Sequence, residues 1–304
     1  MFDIVSVGNF SIDSIVLPDR RMPFVVLGGS VAYVSFAARR LDARVSVISK
    51  VGNDFPVAYL WWLRQEGVDL SSVVKVENAQ TTRFELKYNS GLLTRTLRLN
   101  GKAPAITADD VPNSLKAQII HLAPIAGEIT YEVAEKLKRH AEALSIDPQG
   151  LVRTFDENGN VTHGSLADKR ILELVNIYKS SQAEIMSVTN QSDLSSAIKV
   201  IHDYGVETVI VTLGAKGALL SIENNVYDIP ACKPEKVVDP TGAGDAFIGG
   251  FLAEYVNGEN HVRCACVGSA IASFVVEALG PTFFGDKEQI YQRARLLYEK
   301  EIKG

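Results

Sequence analysis

The sequence predicts an α/β fold: a doubly wound, mostly parallel sheet flanked by helices, with a small β-sheet lid. Three observations predict it. Short β-branched runs alternate with helical patterns along the whole chain. Those runs are apolar almost without interruption, as strands buried on both faces of a parallel sheet require. One stretch instead alternates polar and apolar residues on either side of a turn, the pattern of a ribbon with one wet face.

Taken in order, residues 2–8 and 44–49 read as strands, then 118–122 and 144–147. Residues 208–213 are the clearest strand, because VIVTL is β-branched and nearly all apolar. Helical patterns fall between them. Residues 30–41 follow a glycine pair. Residues 55–65 follow Asn53-Asp54, which can cap them, with Pro56 tolerated in the first turn. Two more helices are expected at 130–143 and at 193–204, the latter closed by Gly205. From Ala243 onward the chain reads as helical almost to its end. Such alternation is resolved by one sheet with helices on both faces.

The exception is TTRFELKYNSGLLTRTLRL at 81–99, turning at Asn89-Ser90-Gly91. Phe84, Leu86 and Tyr88 share one face, and Arg83, Glu85 and Lys87 the other. A lone hairpin is marginal in water. It is therefore expected to recruit residues 11–26 as neighbouring strands. Segments of about 11–26 and 78–101 then form a lid on a single domain spanning 1–304. Its apolar face either covers its own domain or pairs with a second lid in a homodimer.

Composition narrows the function. The chain has 304 residues, 46% hydrophobic and 22% charged, a globular balance. Lys plus Arg number 31 against 36 Asp plus Glu, a net charge of −5, so the basic field of a nucleic-acid binder is missing. The uncharged apolar-rich stretch at 264–276 is shorter than the ~20 residues of a membrane span. The first residues lack the form of a signal peptide. Three cysteines make no disulfide framework, and a reducing cytoplasm is the expected setting. A dinucleotide-binding oxidoreductase would show GxGxxG after its first strand, where this chain has Gly8-Asn9-Phe10.

The chemistry concentrates at 237–247, VVDPTGAGDAF, which enters the helical run IGGFLAEYV. Gly242 and Gly244 let the backbone approach a ligand closely. The N–H groups of Gly242, Ala243 and Gly244 then open a helix and form an anion site. Asp245 stands beside it. A carboxylate there repels a resting phosphate, so it is either an N-terminal cap or a general base for an attacking hydroxyl.

DPTGAGDAF resembles the C-terminal signature of the PfkB/ribokinase family of carbohydrate and nucleoside kinases. Gly28-Gly29 opening a helix, Gly8-Asn9 followed by Asp13, and VTLGAKGALL at 211–220 resemble three further family elements. The resemblance covers the whole chain. It implies a ribokinase-like fold, ATP as phosphoryl donor and Mg²⁺ as cofactor. By position it makes Asp245 the base and Gly242, Ala243 and Gly244 the anion hole. Asp13 is expected to hold substrate hydroxyls, and Gly28 and Gly29 to contact substrate or only to permit close packing. Thr212, Gly214 and Thr241 are expected near the nucleotide. Gly217 is expected there or only in a turn, and Lys216 on a phosphate or in solvent. Glu184 falls where the family has Asn-x-x-Glu, with Ser181 replacing the asparagine, and is expected to hold Mg²⁺ through water. Asp239 and Thr241 match positions that help build a monovalent-cation site, such as one for K⁺, in many family members.

The departures from the family bear on the acceptor. Where many relatives read sugar hydroxyls with an asparagine, GGSVAYVS places Tyr33. DPQGLVR at 147–153 departs from Asp-Pro-Asn. Together with the lid sequence it resembles an archaeal-type branch that includes myo-inositol kinases. Gln149 and Arg153, and Arg83 and Glu85 from the lid, are therefore candidate substrate contacts; the alternatives are a helix-entry loop with a solvated arginine for the first pair and the lid's wet face for the second. The leading expectation is a kinase for a cyclitol such as myo-inositol or for a sugar. A nucleoside kinase is the alternative, kept open by Phe10, Tyr33 and Phe84. A non-catalytic binding protein would be expected to lose the base or the anion-hole glycines, and all are present.

Overall fold

The apolar runs become the sheet. The computed structural model describes residues 1–18, 20, 22–92 and 94–299; Asp19, Arg21 and Leu93 of the expected lid and the last five residues lie outside the described residues. Strand β1 (Phe2–Val7) leads into β2 (Ser11–Val16) and β3 (Phe24–Gly28), then helix α1 (Ser30–Arg39). Next come β4 (Val45–Gly52), α2 (Val57–Gln65), β5 (Asp69–Val76), β6 (Thr82–Tyr88) and β7 (Arg95–Gly101). The central run is β8 (Ala117–Leu122), α3 (Tyr131–Lys138), β9 (Ala141–Ile146), β10 (Arg153–Phe155) and β11 (Val161–His163). It continues through β12 (Ile177–Ser181), α4 (Gln182–Thr189), α5 (Leu194–Asp203), β13 (Thr208–Thr212), β14 (Ala218–Ile222) and β15 (Asn225–Ile229). Helices α6 (Ala243–Tyr255), α7 (His261–Val275) and α8 (Lys287–Leu297) close the described chain.

The main sheet has the order β15-β14-β13-β12-β9-β8-β1-β4-β5. From β13 to β5 every pairing is parallel, and β14 and β15 add an antiparallel edge. Alternate residues of each strand face opposite helical layers. Ile4, Ile119, Ile177 and Ile210 pack with α1, α6 and α7, whereas Val5, Ile120, Leu144 and Val209 pack with α3 and α5. Helices α1 and α6 lie unusually close. A Cβ on Gly249 would come within 2.5 Å of Val34 O, so only glycine permits that approach.

β1 lies between β4 and β8, where the winding reverses, and the crevice beyond the carboxyl ends of the strands opens there. The N-termini of α1 and α6 both meet that crevice. A second sheet, β3-β2-β6-β7, covers it. Its inner face carries Ile15, Phe84, Leu86 and Tyr88, packed on Ile125 and Ala126 of the main domain. Arg83, Glu85 and Lys87 face outward, so the apolar side of the lid covers its own domain. The ribbon β10–β11 props the lid, with Leu99 N donating to Gly159 O (2.7 Å).

Two expectations are corrected. The helix expected over 130–143 stops at Lys138, and Ala141 already pairs with Ala117 of β8. Here strand pairing overrides good local helix formers. The C-terminal region is three helices, with a non-helical passage over 276–286 that contains Gly280, Pro281 and Gly285. Among the described residues no helix is long and apolar enough to cross a membrane.

Candidate active site

Gly242 caps α6 in the left-handed region (φ 77°) and turns the chain so that the first helical N–H groups face the crevice. The space above it is tightly used. A Cβ on Gly242 would overlap the ring of Tyr33 at 2.2 Å, and one on Gly244 would meet Lys179 Nζ at 2.8 Å. Helix dipole and a lysine ammonium therefore converge on one spot, which suits the charge of a phosphoryl group, although Ala243 N already donates to Pro240 O (3.4 Å).

Asp245 sits in the first turn of α6. Its Oδ1 accepts hydrogen bonds from Ser30 Oγ (2.6 Å), at the start of α1, and from Gln149 Nε2 (2.9 Å). Lys179, on β12, is 4% exposed and is ion-paired with Asp147 at the end of β9. Burial works against the Lys179 charge. Asp147, Asp245 and Glu184 outweigh it and hold the ammonium above its ordinary range. Glu184 closes a capping box with Ser181, whose N and Oγ both donate to Oε2 at 2.7 Å. Burial opposes its charge, but Lys179 and Ser181 keep its carboxyl below the usual value.

A cleft opens beside Asp245 under the lid. Asp13, on β2, is 5% exposed; its Oδ1 accepts from Ser11 Oγ (2.6 Å), and burial pushes its carboxyl up to about 6. Gly28 packs against this carboxylate, where a Cβ would lie 2.1 Å from Oδ2. Gly29, Tyr33, Gln149, Arg153, Thr241, Gly242 and Asp245 line the same cleft. The Tyr33 hydroxyl is buried with no hydrogen-bond partner among the described residues. Arg153 donates to Ile125 O (2.8 Å) and to Gln149 Oε1 (2.7 Å). Phe84, Leu86, Leu97 and Ile125 give the cleft an apolar strip.

Lid and catalytic loop are tied together. Tyr88 OH and Thr241 Oγ1 are 2.8 Å apart, and Arg95 reaches both. Thr241, expected beside the nucleotide, is thus engaged with the lid. Asp239 accepts from Thr241 N and Oγ1 on one oxygen and from Gly280 N on the other. The carboxylate expected at a monovalent-cation site is already bonded by three donors of its own chain. Among the described residues no group of three His, Cys, Asp or Glu side chains is arranged to hold a metal. Glu184 keeps Oε1 outside the capping box, an oxygen that a hydrated Mg²⁺ would suit.

Thr212 ends β13 opposite Ser181, which places it beside Glu184. Gly214 and Lys216 follow in an exposed 3₁₀ turn, and Gly217 (φ 96°) serves the turn, since a Cβ there would strike Ile229 O at 2.1 Å. Two expected contacts are corrected. Arg83 points away from the cleft and pairs with Asp54 (2.7 Å), and its outward neighbour Glu85 does not line the cleft either. Phe10 is buried against Phe55, with centroids 5.7 Å apart. Sequence reasoning missed Lys179, Ser30 and Arg95. A signal existed for Lys179: a lysine inside the buried strand IYKSS needs a partner.

The pfkB family carbohydrate kinase profile matches residues 1–288. The chain belongs to the pfkB family. As a pfkB-family kinase it is a phosphotransferase with a hydroxyl acceptor. It is 30% identical to the cytidine kinase of Thermococcus kodakarensis over 92% of this chain and 98% of that protein. It is 28% identical to the inositol 3-kinase of Arabidopsis thaliana over 92% of this chain and 76% of that protein. Among solved structures it is similar to a pyrophosphate-dependent kinase in the ribokinase family, complexed with a pyrophosphate analogue and myo-inositol. The TM-score is 0.81 at 23% identity, covering 95% of this chain and 99% of that one. That likeness establishes a ribokinase-like fold for this pfkB-family kinase.

Proposed function

We propose that this kinase transfers the γ-phosphoryl group of ATP to a hydroxyl of a nucleoside. The observation that carries the acceptor is the two-sided cleft. Its floor offers Asp13 and Asp245 to ribose hydroxyls, and its lid offers Phe84, Leu86 and Leu97 with Ile125 to a flat base. A carboxylate accepts two hydroxyl hydrogen bonds, which suits a vicinal diol. A cyclitol would leave the apolar strip facing hydroxyls. The likeness to the Thermococcus cytidine kinase supports the same choice. This reverses the order expected from sequence, in which a cyclitol came first.

In this reading Asp245 takes the acceptor proton. The N-terminus of α6 and Lys179 hold the charge on the transferred group. The donor lies along the ends of β12 and β13, past Thr212 and Gly214. Mg²⁺ bound with the donor would neutralise phosphate charge, and Glu184 would hold it through water.

A second reading, myo-inositol as acceptor, is favoured by the likeness to inositol 3-kinases and by the polar residues Gln149, Arg153 and Arg95 around the cleft. One assay separates them: kcat/KM for cytidine, adenosine, ribose and myo-inositol, each with ATP or with pyrophosphate as donor. Cytidine or adenosine is expected to exceed both others by at least about tenfold, since a matched pocket separates ligands by roughly 1–3 kcal/mol. Preference for myo-inositol over every nucleoside replaces the proposed acceptor, and turnover with pyrophosphate alone replaces the donor.

A further inference from the structure

The two oxygens of Asp245 are not equivalent. Oδ1 receives both the Ser30 hydroxyl and the Gln149 amide, which fills its two lone pairs. Oδ2 accepts nothing from any described residue. Gln149 is itself held from behind. The Arg153 guanidinium donates to its Oε1, so its Nε2 must face Asp245; the flipped amide would set donor against donor. Arg153 is anchored in turn by Ile125 O and lies over the Phe84 ring, 5.4 Å from its centroid.

We propose that Arg153 and Gln149 are positioning residues that fix the Asp245 carboxylate with Oδ2 as the working oxygen, and that they act through the base instead of gripping the acceptor. The proposal rests on Asp245 being the base. A carboxylate torsion is broad and roughly two-fold when free. Two donors on one oxygen select a single orientation and leave the other oxygen for the acceptor. The acceptor hydroxyl then gives its proton to Oδ2. Its oxygen lone pair forms the new bond to phosphorus. The bond from that phosphorus to the bridging oxygen breaks, and its electron pair leaves with the shortened donor. Ser30 and Gln149 exchange no proton in this step. Because Phe84 belongs to β6, a lid residue seats the guanidinium that orients the amide that orients the base.

The test compares kcat and acceptor KM for wild type, Gln149→Leu, Arg153→Lys, the double variant and Ser30→Ala. Gln149→Leu is expected to lower kcat about tenfold. Acceptor KM should stay within about twofold, since lost transition-state positioning lowers kcat at little cost in binding. Ser30→Ala should lower kcat in the same way. Arg153→Lys should act in the same sense, and the double variant should match Gln149→Leu alone, because both lie on one path. A raised KM with kcat unmoved makes the pair acceptor ligands and overturns the proposal. Additive losses in the double variant overturn it for Arg153. Asp245→Asn in the same assay keeps the two readings apart. Near-wild-type turnover there removes the base itself. A large loss there, with kcat unmoved in Gln149→Leu, removes only the relay.

Discussion

The catalytic loop and the lid solve opposite problems. The loop over 239–245 is built from backbone: a left-handed glycine, a helix terminus and a carboxylate in its first turn, packed against α1 and the ends of parallel strands. The lid is built from side chains on a four-stranded sheet that leans on the domain through one apolar face. Phosphoryl chemistry is the same for every acceptor and needs fixed dipoles, which a rigid helix end supplies. Acceptor choice needs replaceable contacts, which alternate positions on strands supply. Variants of the loop should therefore fail in kcat, and variants of the lid in KM.

The largest expected effect tests the loop. Asp245→Asn preserves volume and helix but removes the proposed base. Its kcat should fall by about 10²–10⁴, with nucleotide affinity nearly unchanged. Turnover near wild type would remove the chemical half of the contrast.

Lys179→Met comes next. It leaves Asp147 buried without its cation, a loss of about 3–5 kcal/mol by thermal or denaturant unfolding. Asp147→Asn combined with Lys179→Met should recover most of that stability and little activity. Recovered activity would show that the ammonium only satisfies Asp147.

Asp13→Asn probes the boundary between the two regions. In wild type the Asp13 carboxyl, raised by burial to about 6, is protonated below that pH and ionised above it. Acceptor affinity should therefore fall as the pH drops through about 6, and the variant should lose that dependence. Weakening of about 5- to 150-fold is expected near neutral pH, with ATP binding unaffected. Stability should move the other way. The unfolded chain releases this proton near 4 and the fold only near 6, so wild-type stability falls as the pH rises between them. Above that window the variant should be more stable by about 1–3 kcal/mol, readable as Tm against pH. A variant that loses both affinity and stability at pH 7 would make Asp13 structural.

The smallest effect lies wholly in the lid. Tyr88→Phe removes the hydroxyl that meets Thr241 and should cost about 0.5–1.5 kcal/mol. Acceptor KM should rise a few-fold at constant kcat. A drop in kcat instead would show that the lid reaches the loop more strongly than the two-region contrast allows.

The loop was also the more legible region. Its glycines and aspartate are contiguous, and their spacing alone implies a helix N-terminus facing an anion. The parallel sheet was legible because strands buried on both faces must be apolar throughout, as at 208–213. What escaped reading depended on distant partners. Ala141 and Glu142 favour helix by themselves, and only the neighbouring β8 makes them strand. Ser30 was passed over because its partner, Asp245, is 215 positions away. Arg83 is a different case. Its face was readable, since a residue next to Phe84 on a strand cannot share the cleft with it. Of the two placements expected for Arg83, the inward one broke the alternation rule that had identified the lid, and the wet face is the one observed.

The lid's strand order also constrains how this enzyme can be redesigned. β2 pairs in parallel with β6, and the chain between them runs through α1, β4, α2 and β5 of the main domain. A parallel neighbour cannot be reached by a short turn. The lid is therefore no cassette: grafting it from a relative would mean exchanging two segments separated by two helices and two strands of the main domain, along with the ribbon that props it. New acceptors are accessible instead by single replacements at the inward positions of β6 and β7, each of which changes the cleft and leaves the scaffold's connectivity untouched.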